Sequence, residues 1–249
     1  EATAEWFELK YRPSPDVWRH APSYLLNPYL RLWDFTQGNL PLDQHRYGAS
    51  LLLSYLEWNN IVEESFFGQS YYSGTNLTPQ EYLSNNIPDF KNHFIDFAGN
   101  ASVIDFGNSS EQIKERKQIY ISDWSDGIDT QFELVLNNEG TDGIYTPQRK
   151  IESWAYQTIK LISENESNYT YKFNSILLGS EGGVADFNLI IVKEKNGEFT
   201  YEKKYIADDS IMFDFTAESN ANYYFTIVNT PEKFVGSDYY SYNIEIEKL

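Results

Sequence analysis

The sequence predicts an α+β protein, in which an α-helical N-terminal segment precedes an antiparallel β-sandwich or jelly-roll domain. Apolar residues recur at the helical period in the N-terminal part, and from about residue 117 onward they alternate with polar residues. Residues 107–112, which are polar and contain glycine and serine, lie between the two patterns. We therefore expect a helical domain over residues 1–108 and a β-sandwich domain over residues 112–249.

Residues 47–58 are almost continuously apolar. One helical stripe carries Tyr47, Leu51, Tyr55 and Trp58, and leucines cover most of the remaining surface. A helix that is apolar on nearly every side belongs in the interior of a protein. This segment is therefore predicted to be a buried central helix.

Local signals place two more helices in the N-terminal part. Thr78 and Glu81 have the spacing of a capping box, with a proline at the first helical position. A following helix begins near Asp89, and we expect Gly99 and Asn100 to end it.

Five segments of the C-terminal part alternate apolar and polar residues, as strands with one buried face do. Their apolar positions are Phe132, Leu134 and Leu136; Tyr169, Tyr171 and Phe173; Ile211, Phe213 and Phe215; Tyr223, Phe225 and Ile227; and Tyr240, Tyr242, Ile244 and Ile246. Residues 187–192 are apolar on both faces, which is typical of a central strand. Asn196-Gly197, directly after them, predicts a tight hairpin turn.

The composition excludes several classes of protein. The absence of cysteine rules out disulfides, cysteine–zinc sites and thiol catalysis. With 19 basic and 37 acidic side chains, the net charge of −18 disfavours nucleic acid and anionic membranes as partners. No apolar run approaches the roughly 18 residues of a membrane span.

Several features together indicate an extracellular or cell-surface protein. The chain has 20 tyrosines, no cysteine, an acidic composition and five Asn-x-Ser/Thr sequons. The candidate glycosylation sites are Asn76, Asn100, Asn108, Asn165 and Asn168. The first residues have neither the basic start nor the apolar run of a signal peptide. We expect that further sequence precedes Glu1 in the natural protein.

The N-terminal segment carries the most informative pattern. Read as a helix, it places Glu1, Glu5 and Glu8 on one face, because they recur at i, i+4 and i+7. An apolar stripe is expected beside them, formed by Ala4, Phe7 and Tyr11. The same pattern is typical of a solvated acidic face at a helix start, where carboxylates complement the helix dipole.

Two segments resemble the gluzincin metallopeptidases. Residues 1–8, Glu-Ala-Thr-Ala-Glu-Trp-Phe-Glu, are similar to the Glu-Gly-x-Ala-x-Trp/Tyr-x-Glu pattern that follows the HExxH helix of that family. Residues 47–56 resemble the family's Tyr-Gly-x-x-x-Phe-x-x-Tyr-Leu helix. The resemblance covers about residues 1–60 and extends to secreted bacterial and archaeal metalloproteases with C-terminal β-domains.

The resemblance implies roles for three residues. Glu1 corresponds to the third zinc ligand, and Glu5 to the supporting carboxylate that orients a histidine. Tyr47 corresponds to a group that polarises the scissile carbonyl.

The chain departs from the family pattern at the catalytic helix. Its histidines, His20, His45 and His93, do not begin an HExxH motif, and no two of them share a helical turn. Peptide hydrolysis of this kind needs two histidine ligands and a general-base glutamate on one helix. We therefore expect this chain to be inactive alone and to bind zinc only when an upstream segment is present.

Two functions remain open at this stage. The first is the C-terminal portion of a secreted zinc metallopeptidase-like protein, whose β-sandwich binds a protein or glycan surface. The second is a non-enzymatic extracellular structural or adhesion module that self-assembles or binds glycans. Loss of the HExxH helix should uncover Trp6, Phe7 and residues 51–56, so the expected partner is the upstream segment or another copy of the chain.

The C-terminal half offers two further candidate sites. Asp123, Asp126 and Asp129 surround a glycine turn, and hard oxygen ligands in a loop suit Ca²⁺, although an ordinary turn between strands has the same composition. The spacing is not that of an EF-hand. Trp124 and Trp154 are candidates for a sugar-stacking platform on the sandwich, and either is equally compatible with the core.

Overall fold

The computed structural model describes residues 2–12, 18–32, 44–72, 77–124, 127–137, 142–163, 169–181, 185–206, 210–232 and 239–249. It confirms the α+β class, with a helical part followed by a sandwich of two mostly antiparallel sheets. The chain forms two compact units. The helical unit comprises Glu1–Asn27 and Leu32–Asp129, and the β unit comprises Pro28–Arg31 and Thr130–Leu249.

Eight α-helices and a 3-10 turn are described in the helical unit. They are α1 (Ala2–Tyr11), α2 (Ala21–Leu25), α3 (His45–Gly48), α4 (Ser50–Trp58), α5 (Glu64–Tyr72), α6 (Pro79–Asn86), α7 (Phe90–Val103), the 3-10 turn (Gly107–Ser109) and α8 (Ser110–Trp124). The predicted capping box is present, since Thr78 accepts from the Glu81 backbone and Glu81 accepts from the Thr78 backbone. Buried leucines of α4 and phenylalanines of α7 supply much of the core.

The apolar segment 47–58 forms two helices rather than one, because the chain turns at Ala49 between α3 and α4. Every residue from Ser50 to Leu56 is buried, as expected for a central helix. Trp58 was predicted on the buried stripe, but 44% of its surface is exposed. It is the last residue of α4, where the helix leaves the core.

Helix α7 does not end at Gly99 and Asn100 but continues to Val103. Gly99 and Ala101 are buried, and this packing outweighs the roughly 1 kcal/mol penalty of a glycine inside a helix. The helix ends instead at Ile104, which adopts a left-handed conformation with φ of 55°.

The strand pattern expected from about residue 117 is also wrong at its start. Residues 110–124 form α8, whose buried positions Ile113, Lys117, Tyr120 and Ile121 recur at helical spacing. Tyr120 and Ile121 pack with Leu26 of the helical unit. This long-range contact favours the helix. After α8, the chain passes from the helical unit to the β unit between Asp129 and Thr130.

Ten strands are described in the β unit. They are β1 (Phe132–Asn137), β2 (Gly143–Tyr145), β3 (Ile151–Glu152), β4 (Ala155–Ser163), β5 (Tyr169–Glu181), β6 (Phe187–Lys195), β7 (Glu198–Ile206), β8 (Ser210–Ala217), β9 (Ala221–Asn229) and β10 (Tyr239–Lys248). One sheet has the order β1-β4-β9-β6-β7, and the other β2-β10-β5-β8 with β3 paired to β10. One pairing departs from the expected antiparallel sandwich, because β1 runs parallel to β4.

The core of the β unit lies between its two sheets. The five alternating segments of the sequence all form strands, and their inward residues meet, as where Phe173 stacks on Phe225 at 5.0 Å between ring centroids. Strand β6 is central, paired with β7 on one side and β9 on the other. Asn196-Gly197 joins β6 to β7 with both residues at positive φ, as the hairpin prediction requires.

Candidate functional site

Helix α1 turns a different face inward from the one predicted. Ala4 is exposed, and the exposed fractions of Phe7 and Tyr11 are 37% and 58%. The predicted apolar stripe therefore faces solvent. Trp6 is buried instead, with its ring 4.8 Å from Phe67 and its Nε1 donating to Glu57 Oε2 at 3.1 Å. Burial of the large indole therefore sets the orientation of α1, and Glu5, next to it, is carried inside with only 7% exposed.

Helix α1 packs on α4, as the resemblance requires of a helix that carries a third zinc ligand. Besides the bond from Trp6, Lys10 bridges Glu57 of α4 and Glu64 of α5, the latter at 2.8 Å. An apolar patch was expected at Trp6, Phe7 and residues 51–56. Phe7 is 37% exposed, in line with this expectation, but the expectation is wrong for Trp6 and residues 51–56. These side chains are at most 7% exposed, because α1 covers α4 within the chain itself.

Two of the three residues implied by the resemblance lie on either side of a histidine. The Nε2 atom of His20 is 4.0 Å from Glu5 Oε2, and its ring lies 5.0 Å from the Tyr47 ring at an interplanar angle of 31°. Glu1 lies outside the described residues. Glu5, His20 and Tyr47 form what we call the α1 cluster.

Close packing around Gly48 places His20 beside Tyr47. A Cβ atom at Gly48 would lie 2.6 Å from Tyr24 Cβ and 2.7 Å from the His20 carbonyl oxygen, which is closer than side chains tolerate. Only glycine at this position lets α3 approach α2 so closely. The Tyr-Gly pair of the sequence motif thus positions the α1 cluster.

The charges of the α1 cluster are incompletely paired. Burial raises the pKa of Glu5, and the positive charge of Arg19 opposes this only in part. Burial and the same arginine lower the pKa of His20, which keeps the imidazole neutral at pH 7. Arg19 Nε donates to His20 Nε2 at 2.9 Å, so that nitrogen is an acceptor and gives Glu5 no proton. Within the described residues, Glu5 is a buried carboxylate with a neutral neighbour beyond hydrogen-bonding distance.

The described residues do not fit a complete zinc site. Among them, no group of three or more histidine, aspartate or glutamate side chains is placed to hold a metal ion. His20 and Glu5 supply two such groups, and Tyr47 has no metal-binding role in the resemblance. Any catalytic zinc would therefore need ligands from outside the described part of the chain.

The candidate calcium residues are only partly described. Asp123 lies on α8 rather than in a loop, and Asp129 accepts from the buried Lys117 amine at 2.6 Å. Asp126 lies outside the described residues. A calcium ion at Asp129 would have to displace the Lys117 amine. Calcium binding here stays a prediction.

The two tryptophans proposed as a sugar platform differ in exposure and lie in different units. Trp154 belongs to the core, with 4% exposed and its Nε1 donating to the Pro231 carbonyl at 3.2 Å. Trp124 is 58% exposed but lies on α8 of the helical unit, not on the sandwich. The platform proposed on the sandwich is therefore wrong for both residues.

Two of the five candidate glycosylation sites are described. Asn108 is exposed in the 3-10 turn, whereas Asn100 lies on α7 with its Nδ2 donating to the Asp96 carbonyl. Asn76, Asn165 and Asn168 lie outside the described residues. Glycosylation of these sites stays a prediction.

The sequence gives no indication that His20 lies between Glu5 and Tyr47. No spacing within the sequence connects it to Glu5 or Tyr47, because α1, the turn before α2, and α3 meet only in the folded chain. The only local signal is the Tyr47-Gly48 pair, since a glycine next to a candidate site residue marks close backbone approach.

A scan against protein-family models finds no match to this chain, and a comparison with curated protein sequences finds none either. Among solved structures, the chain is similar to the pre-peptidase C-terminal domain of a collagenase from Bacillus anthracis, at 13% identity over 47% of this chain and 96% of that one, with a TM-score of 0.31. It is also similar to the Yersinia pseudotuberculosis-derived mitogen, at 16% identity over 42% and 85% of the two chains and a TM-score of 0.30. A third is PliG of Aeromonas hydrophila, a periplasmic inhibitor of g-type lysozyme, at 9% identity over 46% and 98% with a TM-score of 0.27. Likenesses at this level have no bearing on what this chain binds or catalyses.

No helix in the described part of the chain has the length and apolar character needed to cross a membrane.

Proposed function

We propose that this chain is the C-terminal portion of a secreted zinc metallopeptidase-like protein, in which the β-sandwich binds or anchors the protein at a surface. The chain is inactive by itself. In the complete protein an upstream segment with HExxH supplies two histidine ligands, and Glu1 supplies the third. Glu5 supports a histidine of that segment, and Tyr47 faces the substrate.

The burial of Glu5 beside His20, whose ring also lies against Tyr47, is the observation that carries this proposal. Glu5 has no hydrogen-bond donor among the described residues, and burying a carboxylate in that state is costly. A histidine N–H from an arriving segment would satisfy Glu5, as carboxylates do behind metal-bound histidines. Burial raises the pKa of Glu5, the nearby Glu8 raises it further, and Arg19 opposes this only in part.

The packing of α1 supports the same proposal. A metal ligand must be held by a rigid scaffold, and α1 is fixed to α4 and α5 through Trp6 and Lys10. Glu1 immediately precedes the first described residue of that helix, Ala2. The proposed role of Glu1 therefore depends on the anchoring of α1.

Zinc content tests the proposal directly. The chain alone should lose zinc on dialysis and should not cleave peptides, because one glutamate cannot retain the ion. The natural reading frame upstream of Glu1 should encode an HExxH motif, and the chain extended to include it should retain one zinc ion. The substitution Glu1→Gln should abolish that retention, whereas the control Glu8→Gln, on the half-exposed side of α1, should not.

Two results would contradict the proposal. One is an upstream sequence without HExxH, and the other is an extended chain that contains the motif but retains no zinc. Either result would favour the non-enzymatic structural or adhesion module.

A further inference from the structure

A cleft in the helical unit lies apart from the α1 cluster. It has a volume of about 450 Å³ and lies where α4 and α7 end and the 3-10 turn begins. Its wall combines aromatic rings with short polar side chains. The lining residues are Tyr55, Trp58, Asn59, Asn100, Asp105, Phe106, Gly107, Asn108 and Ser109.

Trp58 presents the accessible aromatic surface of this cleft. It is 44% exposed, whereas Tyr55 and Phe106 are at most 7% exposed. The indole is held by edge-to-face contacts with Trp18, at 5.6 Å, and Phe106, at 6.4 Å. A large apolar ring that is both rigid and exposed is a stacking surface prepared before a ligand arrives.

The polar side of the cleft is equally fixed. Asn59 Nδ2 donates to the Tyr55 carbonyl at 2.9 Å, and Asn100 Nδ2 donates to the Asp96 carbonyl at 2.8 Å. Each amide is thereby oriented by its own helix. These bonds preorganise the polar groups, which lowers the entropic cost of binding.

One residue beside the turn that closes the cleft adopts an unfavourable backbone conformation. Ile104 has φ of 55°, a left-handed conformation that is unfavourable for a β-branched residue, whereas glycine readily adopts the φ of 56° found at Gly107. The turn is held by hydrogen bonds from Phe106 N to Ser110 Oγ at 2.7 Å and from Asp105 N to the Asn100 carbonyl at 2.9 Å. Backbone held in such conformations tends to occur at ligand-binding sites.

The chemistry of the lining selects the class of ligand. None of the described lining residues is basic and Asp105 adds an acidic side chain, so an anion is disfavoured. Amide groups both donate and accept, as the hydroxyl groups of a neutral sugar require. We propose that this cleft binds a neutral saccharide, which stacks on Trp58 and hydrogen-bonds to Asn59, Asn100 and Asp105.

This site needs neither zinc nor an upstream segment, so it goes beyond the function proposed above and stands or fails separately. It also places a glycan site on the helical unit, whereas the sequence suggested one on the sandwich.

The test is calorimetric titration of the purified chain, produced in a bacterial host so that Asn108 stays unmodified. The probes are short chains of β-linked glucose, mannose, xylose or N-acetylglucosamine, each to millimolar concentration. At least one should bind. Trp58→Ala should weaken that binding by about tenfold or more, in the range of aromatic stacking on a ring, and Trp58→Phe by less. Trp124→Ala, a matched change at an exposed tryptophan of the same unit, should have no effect.

Charge distinguishes a saccharide from a cation in this cleft. Asp105→Asn keeps the hydrogen-bonding shape and should change saccharide binding by less than about threefold. Three results would overturn the proposal: no oligosaccharide binds at millimolar concentration, binding survives Trp58→Ala unchanged, or the cleft instead binds tetramethylammonium and loses it in Asp105→Asn, as a cation–π site would.

Discussion

The helical unit and the β unit bury carboxylates in different ways. In the β unit, Glu133 has a side chain only 3% exposed and accepts four hydrogen bonds. Its donors are the backbone N–H groups of Gln148 and Arg149, Arg149 Nε at 2.7 Å and Gln157 Nε2 at 3.3 Å. In the helical unit, Glu5 is about as deeply buried, but its nearest described ion-pair partner is His20 at 4.0 Å.

This difference in hydrogen bonding gives the two carboxylates opposite effects on the stability of the fold. A buried carboxylate that has all its donors stabilises the fold around it, because removing it would strand an arginine and two backbone groups. A buried carboxylate that lacks them destabilises the fold that contains it. Glu133 therefore pins the connection after β2 to β1, whereas the described neighbours of Glu5 include no comparable set of donors.

Glu133→Ala should produce one of the two largest effects. Removing this acceptor from the part-buried Arg149 and from two backbone N–H groups should lower the free energy of unfolding of the β unit by about 2 kcal/mol. Urea denaturation combined with hydrogen exchange of the β1 and β4 amides measures this change for the unit concerned. The exposed Glu245→Ala on β10 is the control and should stay within about 0.5 kcal/mol of the unmodified chain. Equal effects of the two substitutions would remove the structural role assigned to Glu133.

Gly48→Ala should have an effect of similar size, in the helical unit. The new Cβ would clash with Tyr24 and the His20 carbonyl, so α2 and α3 must separate. We expect a loss of about 2 kcal/mol, as for other overpacked sites. Gly68→Ala on α5 is the matched control, because its Cβ would meet nothing within 4 Å and alanine favours the helix. Urea denaturation that found both variants equally stable would contradict the close approach.

Gly197→Ala should have a smaller effect, confined to the hairpin between β6 and β7. Gly197 has φ of 79°, which a residue with a Cβ adopts at a cost of about 1 kcal/mol. In Gly197→Ala, the amides at the ends of β6 and β7 should exchange hydrogen faster. The control Asn196→Gly should leave exchange nearly unchanged, because glycine also adopts positive φ. If Gly197→Ala were as protected from exchange as the unmodified chain, this result would contradict the turn.

Features set by local sequence could be predicted. The capping box at Thr78 and the hairpin at Asn196-Gly197 depend on residues within a few positions of each other, and both are present. The strand pattern of residues 187–192 was equally decisive, because only a central strand is apolar on both faces.

Features set by distant contacts could not be predicted. Helix α8 has an apolar stripe too narrow to stand out, and it is fixed by packing on Leu26. The parallel pairing of β1 with β4 depends on how the whole sheet assembles. The exposure of Trp58 and the meeting of His20 with Glu5 likewise depend on where helices end and approach in three dimensions. The sequence therefore supplied the candidates Glu5 and Tyr47, but not the group between them.

The most direct test of the claim that the buried Glu5 lacks a donor is the substitution Glu5→Gln in the chain as it stands. Because the pKa of Glu5 is raised in the folded state, folding favours its protonated form, and its charge lowers stability once the pH exceeds the unfolded value of about 4.5. Urea denaturation at pH 7 should show Glu5→Gln more stable than the unmodified chain, by about 1 kcal/mol, the low end of the cost of an unsatisfied buried group. The gain should disappear as the pH falls below that value, and the control Glu8→Gln should change little at either pH. A loss of stability at pH 7, of the kind expected for Glu133, would show that Glu5 is already paired and would contradict the account.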